Sequence, residues 1–414
     1  MLTIRVAIPA MDELDFLPVT LDALSCQQTK FPFEVYICVN QPDDYWDNPA
    51  RVSICENNRQ LLDFLANYDI LTLHVSDRSS PGKGWRGKHP GVGSARKVLF
   101  EQILEESAPD DLVVSLDADT WVGTQYLQSL ADRFESNPEL AALAVPYYHD
   151  LDPHNDTLNK AILRYEIYMR NYAINLLRIG SPYGFTALGS AIAMRAKALR
   201  KIGNITPYQS GEDFYLVQKF CKMGGLGLFN TECAHPSGRS SDRVPFGTGP
   251  AVSRGLHNEW TSYPIYSHTE FLPIADAYNR LHDLYCRKLH ASENDFLLFL
   301  QKDTNQKDIW ENVRQNVSDY AHFVKAFHQK ADGLRILQYA RSRHSSLHME
   351  ESQALYSNLQ AWLPGQCPNW LLENCPLSYF TTTQLNHVRN LLFQNEQSLR
   401  KTHFHLSFTK LQPP

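Results

Sequence analysis

The segment Val113-Val114-Ser115-Leu116-Asp117-Ala118-Asp119 constrains the chain most, because an apolar run there ends in two acids one residue apart. A short apolar run of this kind reads as a strand buried on both faces, and such strands belong to parallel sheets covered by helices. The flanking sequence agrees. Over residues 1–150, β-rich runs at 3–9, 33–39, 70–75, 112–116 and 140–146 alternate with stretches of helical spacing, such as Leu14, Leu17, Leu21 and Leu24, or Leu127, Leu130, Ala131 and Phe134. This alternation predicts an α/β fold with a mostly parallel sheet flanked by helices. Ligands of open α/β sheets gather at the carboxyl ends of the strands, where the two acids fall. Paired carboxylate oxygens there suit Mg2+ or Mn2+ carrying a phosphorylated substrate, although an acidic turn after a strand would read the same way.

At 414 residues the chain is long enough for two or three domains. Its 43% hydrophobic and 20% charged residues describe a globular protein with a sizeable core. The balance of 39 Lys+Arg against 45 Asp+Glu gives a net charge of −6, which excludes a general basic field for nucleic acid. No apolar run approaches the ~18 residues of a membrane span. The start, Met1-Leu2-Thr3-Ile4-Arg5-Val6-Ala7-Ile8-Pro9, reads as a first strand instead of a signal peptide. Eight cysteines lie scattered with no Cys-x-x-Cys, so free thiols are expected, and with them a cytoplasmic protein. Beyond about residue 270, Ile274, Ala277, Tyr278, Leu281, Leu284, Tyr285 and Leu289 fall on one helix face, and similar stretches recur near 311–342 and 384–400. The expected division is therefore an α/β domain over 1–270 and a helical domain over 271–414.

Four further segments bear on chemistry. Tyr183 to Met194 is small, apolar and punctuated by Gly184 and Gly189, as suits a strand whose backbone approaches a ligand closely. Gly211-Glu212-Asp213 opens a helix expected over 212–222, where the dipole and free amides favour an ionised carboxylate able to act as a base. His235 follows a strand expected near 226–230, and imidazole is a common ligand of divalent metals. The loop from Gly238 to Gly249 carries Arg239 and Arg243, which could grip a diphosphate bidentately. A second basic loop, Lys83 to His89, suits either the same cleft or solvent.

Taken in order, these motifs resemble a family 2 glycosyltransferase of the GT-A fold. The family's Pro-x-x-Asn-Glu after the first strand corresponds to Pro9-Ala10-Met11-Asp12-Glu13, with Asp12 for Asn. Its Gly-x-x-x-Ala-Arg-Asn element corresponds to Gly91-Val92-Gly93-Ser94-Ala95-Arg96-Lys97, with Lys97 for Asn. The metal motif falls on Asp117-Ala118-Asp119, the acceptor-side glycine strand on Gly189-Ser190-Ala191, and the late Glu-Asp pair on Glu212-Asp213. Order and spacing agree over about residues 3–255. The second strand departs: it ends in Val39-Asn40-Gln41-Pro42-Asp43-Asp44 where the family has Asp-Asp-Gly-Ser.

The resemblance implies a metal-dependent, inverting transfer of a sugar from a UDP- or GDP-linked donor to an acceptor hydroxyl, and the absence of a Gln-x-x-Arg-Trp motif after Glu212-Asp213 and of a membrane-spanning run makes the expected transfer non-processive. It implies Mn2+ or Mg2+ on Asp119, with Asp117 nearer the ribose or a metal-bound water and His235 as a third ligand. Asp213 is then the general base, with Glu212 orienting the acceptor. Pro9, Ala10, Glu13, Asn40, Arg96, Asp117 and Arg243 would line the donor, and Gly189 and Ser190 the acceptor. The acceptor itself is left open among a glycan, a lipid-linked molecule and a small molecule, with contact at the inner face of the membrane as a further expectation. Two other readings compete. A nucleotidyltransferase shares the sheet and the metal acids but places a basic Gly-rich loop after strand one, where this chain has Met11-Asp12-Glu13, and a non-catalytic sugar-nucleotide-binding scaffold would use the helical region. A haloacid-dehalogenase-type phosphatase would need Thr or Val where this chain has Trp121.

Overall fold

A computed structural model describes residues 2–87, 91–206, 211–241, 247–302, 308–347, 349–371 and 376–402. The chain divides into two compact units: residues 1–162 with 186–256, and residues 163–185 with 257–414. The second unit thus recruits the segment 163–185 from within the first half of the chain, which apolar periodicity alone does not reveal.

The first unit holds β1 (Ile4–Ala10), α1 (Leu17–Ser25), β2 (Phe33–Asn40), α2 (Val52–Ala66), β3 (Leu73–Arg78), α3 (Val92–Glu106), β4 (Leu112–Ser115), β5 (Thr120–Val122), α4 (Tyr126–Glu135) and β6 (Ala142–Ala144). After α5 (Asp156–Arg178), whose chain runs into the second unit, come β7 (Ile192–Arg195), α6 (Ala196–Lys201), α7 (Glu212–Met223), β8 (Leu226–Gly227), β9 (Ala234–Pro236) and α8 (Thr248–Leu256). The sheet order is β3-β2-β1-β4-β7-β6-β8, parallel except where β7 runs against β4 and β6. This meets the expectation of a mostly parallel sheet flanked by helices.

Successive βαβ units step outward from β1 through β2 to β3, and α3 then returns the chain to the other side of β1 to form β4. The strand order reverses between β1 and β4, so a crevice opens beyond their carboxyl ends. Both strands are buried along their whole length, which explains their unbroken apolar sequence. A separate two-stranded ribbon pairs β5 with β9, matching Thr120 to Pro236, Trp121 to His235 and Val122 to Ala234. The glycine-punctuated segment forms a strand only at Ile192–Arg195; Gly189 and Ser190 lie in the turn before it.

The second unit is helical: α9 (Leu272–Asn279), α10 (Leu281–Tyr285), α11 (Asp295–Lys302), α12 (Ile309–Gln315), α13 (Tyr320–Lys330), α14 (Gly333–Leu347), α15 (Glu351–Trp362) and α16 (Thr382–Thr402). The single helix suggested by Ile274 to Leu289 is broken at Arg280. Among the described residues, no helix is long and apolar enough to cross a membrane.

Candidate active site

Two arginine-held carboxylate groups occupy the crevice edge of the first unit. The inner group is built on Arg96, which α3 carries into the interior. Its guanidinium pairs with Asp117 through Nη2 and with Glu212 through Nη1, and its Nε donates to Ser115 Oγ at 3.3 Å. Ser115, the last residue of β4, donates in turn to the Gly189 carbonyl at 2.7 Å. The turn at Gly189 therefore lies directly against the guanidinium. A Cβ at Gly189 would stand 2.1 Å from Arg96 Nη2, so any larger residue must push the guanidinium aside. Burial works against the charge on Arg96, but Asp117, Glu212 and Asp213 more than offset it and hold its pKa above the ordinary value.

Glu212 and Asp213 open α7 behind Gly211, whose φ of 77° is the left-handed region that favours glycine. Glu212 is buried against Arg96, whereas Asp213 is half-buried and accepts a bond from the Phe214 amide at 2.7 Å. Burial and the neighbouring Glu212 push the Asp213 carboxyl up to about 7, against the pull of Arg96 and the Phe214 amide. The helix N-terminus alone predicts a plainly ionised acid. Desolvation and like charge outweigh it here, and the result is a carboxyl poised near neutral pH.

The outer group is built on Arg239. The β5–β9 pairing continues in a bond from the Ser237 amide to the Asp119 carbonyl at 3.1 Å, which brings the next residues of both strands together. Arg239 Nε then reaches Asp119 Oδ2 at 2.9 Å, and its Nη2 reaches the two Glu13 oxygens at 2.5 and 2.7 Å. The Phe16 ring centroid lies 3.9 Å from the guanidinium carbon. Glu13 is fixed from the other side, since its carbonyl accepts from the Phe16 and Leu17 amides at the start of α1. Asp12, one residue earlier, has φ 61°, a left-handed backbone that Asn and Asp tolerate best after Gly. That conformation explains why Asp can stand where the resembled motif has Asn.

The remaining candidates fall elsewhere in the first unit. Pro9 and Ala10 are buried within β1, and Asn40 is buried as a clip, donating to the Ala10 carbonyl at 2.9 Å and accepting from Trp85 Nε1 at 2.9 Å. Ser190 is buried in the turn beside Gly189. His235 stacks on Trp121 with ring centroids 4.0 Å apart, its Nδ1 3.4 Å from Asp150 Oδ2. Among the described residues, no three His, Cys, Asp or Glu side chains approach closely enough to form a metal cluster. Arg243 lies outside the described residues. In the basic loop, Lys83 pairs with Asp77 at 2.9 Å and Arg86 with Asp43 at 2.6 Å, so both cations are neutralised locally. A hollow of about 330 Å³ between α4 and Phe229–Thr231 contains none of the site carboxylates.

Asp117 and Asp119 carry hard carboxylate oxygens of the kind a divalent ion takes, although as they stand they form no three-acid group with Glu13. The Arg239 guanidinium stands as a cation between Asp119 and Glu13. The loop composition offers Arg239 as a grip for a diphosphate; its pairing with Glu13 and Asp119, 226 and 120 residues away, leaves no local signal.

No family model and no curated protein matches the chain. Among solved structures it is similar to S. aureus TarS 1–349 in complex with UDP-GlcNAc, at 14% identity over 97% of this chain and 91% of that one, with a TM-score of 0.42. It is also similar to the mannosyltransferase PcManGT from Pyrobaculum calidifontis in complex with GDP-Man and Mn2+, at 14% identity over 95% and 86% of the two chains, TM-score 0.34. A third is glucosyl-3-phosphoglycerate synthase from Mycobacterium tuberculosis with Mn2+, UDP and glucosyl-3-phosphoglycerate, at 13% identity over 63% and 78%, TM-score 0.36.

Proposed function

We propose that this chain is a metal-assisted, inverting glycosyltransferase that moves a sugar from a UDP- or GDP-linked donor to an acceptor hydroxyl. The observation that carries this reading is the division of labour among acids at the β1–β4 reversal. Asp117 and Asp119 face the crevice in ion pairs that a ligand could exchange, while Asp213 is held near pH 7 on a different element. Two sets of carboxyl groups with such different environments suit two roles, charge binding and proton transfer.

Asp119 and Asp117 are the residues that would hold Mn2+ or Mg2+, with Glu13 beside them. The ion would offset the charge that develops on the diphosphate leaving group. Asp213 takes the proton of the acceptor hydroxyl as that oxygen attacks the anomeric carbon, and its carboxyl near 7 matches that task at physiological pH. Glu212 and Arg96 position it: the guanidinium fixes Glu212, and Glu212 raises its neighbour. The Gly189 turn keeps Arg96 in register. A base on the face opposite the leaving group gives inversion at the anomeric carbon.

The test is thermal unfolding with UDP or GDP, each with and without Mn2+. A ligand at about 100 times its Kd should stabilise the chain by about 2.7 kcal/mol. The expected result is a shift that needs nucleotide and metal together; no such shift with either nucleotide would overturn the reading.

A further inference from the structure

We infer that the exposed face of Trp121 is an acceptor subsite, and that the acceptor it takes is a pyranose-bearing saccharide seated ring on ring. The inference rests on the transferase reading above and names the substrate class of that site.

Trp121 lies in β5 between two buried residues, Thr120 and Val122, yet is itself 41% exposed. Strand alternation turns the indole to the open side of the ribbon while Thr120 and Val122 point inward. The ring is also held in one orientation. One face lies on the His235 imidazole at 4.0 Å and 19°, Tyr148 meets that imidazole edge-on at 6.1 Å, and the indole Nε1 donates to Asp150 Oδ2 at 2.7 Å. A side chain needed only for packing would not require a hydrogen bond and a stacking partner to fix it at the surface. A preorganised platform does.

Its place and chemistry select the ligand. Trp121 follows Asp119 by two residues, with Asp119 in the turn that leads into β5, so their backbones stand within about 7 Å of each other. A reach of that order is one sugar ring, as an acceptor beyond the donor sugar would need. The flat indole face complements the axial C–H face of a pyranose. At its edge the Asp150 carboxylate, 50% exposed, can accept from sugar hydroxyls.

The experiment is saturation-transfer NMR with methyl β-D-glucopyranoside and methyl β-D-galactopyranoside as probes and 3-phosphoglycerate as an anionic comparison, in the presence of UDP and Mn2+. Wild type should bind at least one glycoside through the protons of one ring face. Trp121→Ala should weaken its apparent Kd at least about five-fold, and Trp121→Phe should recover most of it. Trp121→Leu keeps an apolar contact with His235 but has no flat face; weakening there as well, with an unchanged thermal midpoint, excludes a collapsed ribbon as the cause. Three results overturn the inference: wild type binds neither glycoside, Trp121→Leu binds as wild type does, or 3-phosphoglycerate is the ligand lost on substitution. Failure of the transferase reading shows separately, as the absence of a metal-dependent nucleotide shift in wild type.

Discussion

Each unit of this molecule contains a cluster of arginines and carboxylates, and the two differ in which partner faces water. In the helical unit Arg170 pairs with Glu166 and Glu396, Arg389 with Glu166, and Arg400 with Glu396, all five side chains at or below 1% exposure. In the sheet unit Arg96 is just as enclosed, but its partner Asp117 is 37% exposed, and Asp119 on Arg239 is 16% exposed. A wholly buried network cannot exchange partners without leaving a charge unpaired in a low-dielectric interior, so it holds one arrangement of helices. A buried arginine with one carboxylate turned outward, as at Arg96 and Asp117, or a pair reached by water from both sides, as at Arg239 and Asp119, leaves the acid able to trade a guanidinium for a ligand. The first pattern suits structure and the second suits the proposed site.

The largest effect should come from Asp213→Asn, which separates activity from stability. Losing a general base costs about 10²- to 10⁴-fold in rate, whereas the metal-dependent nucleotide shift should persist. Stability should move the opposite way. The folded carboxyl titrates at about 7 against 3.8 unfolded, so between those values the native state holds more protons and wild type loses stability as pH rises. Asn carries no such penalty. Unfolding of the variant should match wild type below pH 4 and exceed it above pH 7 by on the order of 2 kcal/mol, after a discount for partial exposure. A variant that lost nucleotide binding too, or showed no pH-dependent gain, would break the assignment. In wild type, transfer should rise with pH through about 7.

In the helical unit the mirror experiment is Glu396→Ala, which leaves Arg170 and Arg400 facing each other with their shared carboxylate gone. Breaking a buried pair on one side costs about 3–5 kcal/mol, read as a lower denaturant midpoint at every pH. A cost under about 1 kcal/mol would mean the cluster is wetter than its burial indicates, and the contrast between the units would fail.

Gly189→Ala tests the link between the turn and the guanidinium. The new Cβ would meet Arg96 at 2.1 Å, and overpacking of this kind costs about 1–3 kcal/mol. Displacing Arg96 also withdraws a charge that lowers the Asp213 pKa, so the pH limb of transfer should move upward. A stability loss with an unmoved limb would show that Gly189 only fills space.

How far the sequence foretold this arrangement follows the range of the interaction concerned. The runs at 3–9, 33–39 and 112–116 became β1, β2 and β4 almost residue for residue, because buried parallel strands leave continuous apolar text. The helix at 212–222 was equally legible from its acidic start. β3 begins at Leu73, later than expected, and Arg280 interrupts an apolar stripe that has no break of its own, since side-chain period does not record where backbone bonds lapse. The acids could be found because they sit at element ends. Their arginine partners could not, since Arg96 and Glu212 are joined across 116 residues, and the pKa of Asp213 depends on burial that only the folded chain supplies.

The smallest expected effect separates the two arginines of the sheet unit itself. Arg96 is enclosed and backed by Ser115, whereas Arg239 is partly exposed, on a segment that reaches its acids only through the β5–β9 ribbon. If Arg239 is the exchangeable cation, a divalent ion arriving at Asp119 must displace it, and the two compete for the same oxygens. Arg239→Ala should then tighten Mn2+ binding in the absence of nucleotide, by roughly five-fold, since a partly exposed charged contact contributes about 1 kcal/mol. Paramagnetic resonance of free Mn2+ measures this directly and is independent of turnover. Arg239→Lys should lie between, because Lys keeps the charge but not the forked reach to Glu13 and Asp119 together. Weaker Mn2+ binding in Arg239→Ala would mean that the guanidinium preshapes Glu13 and Asp119 instead of competing for them, and the outer cluster would then belong with the fixed one in the helices.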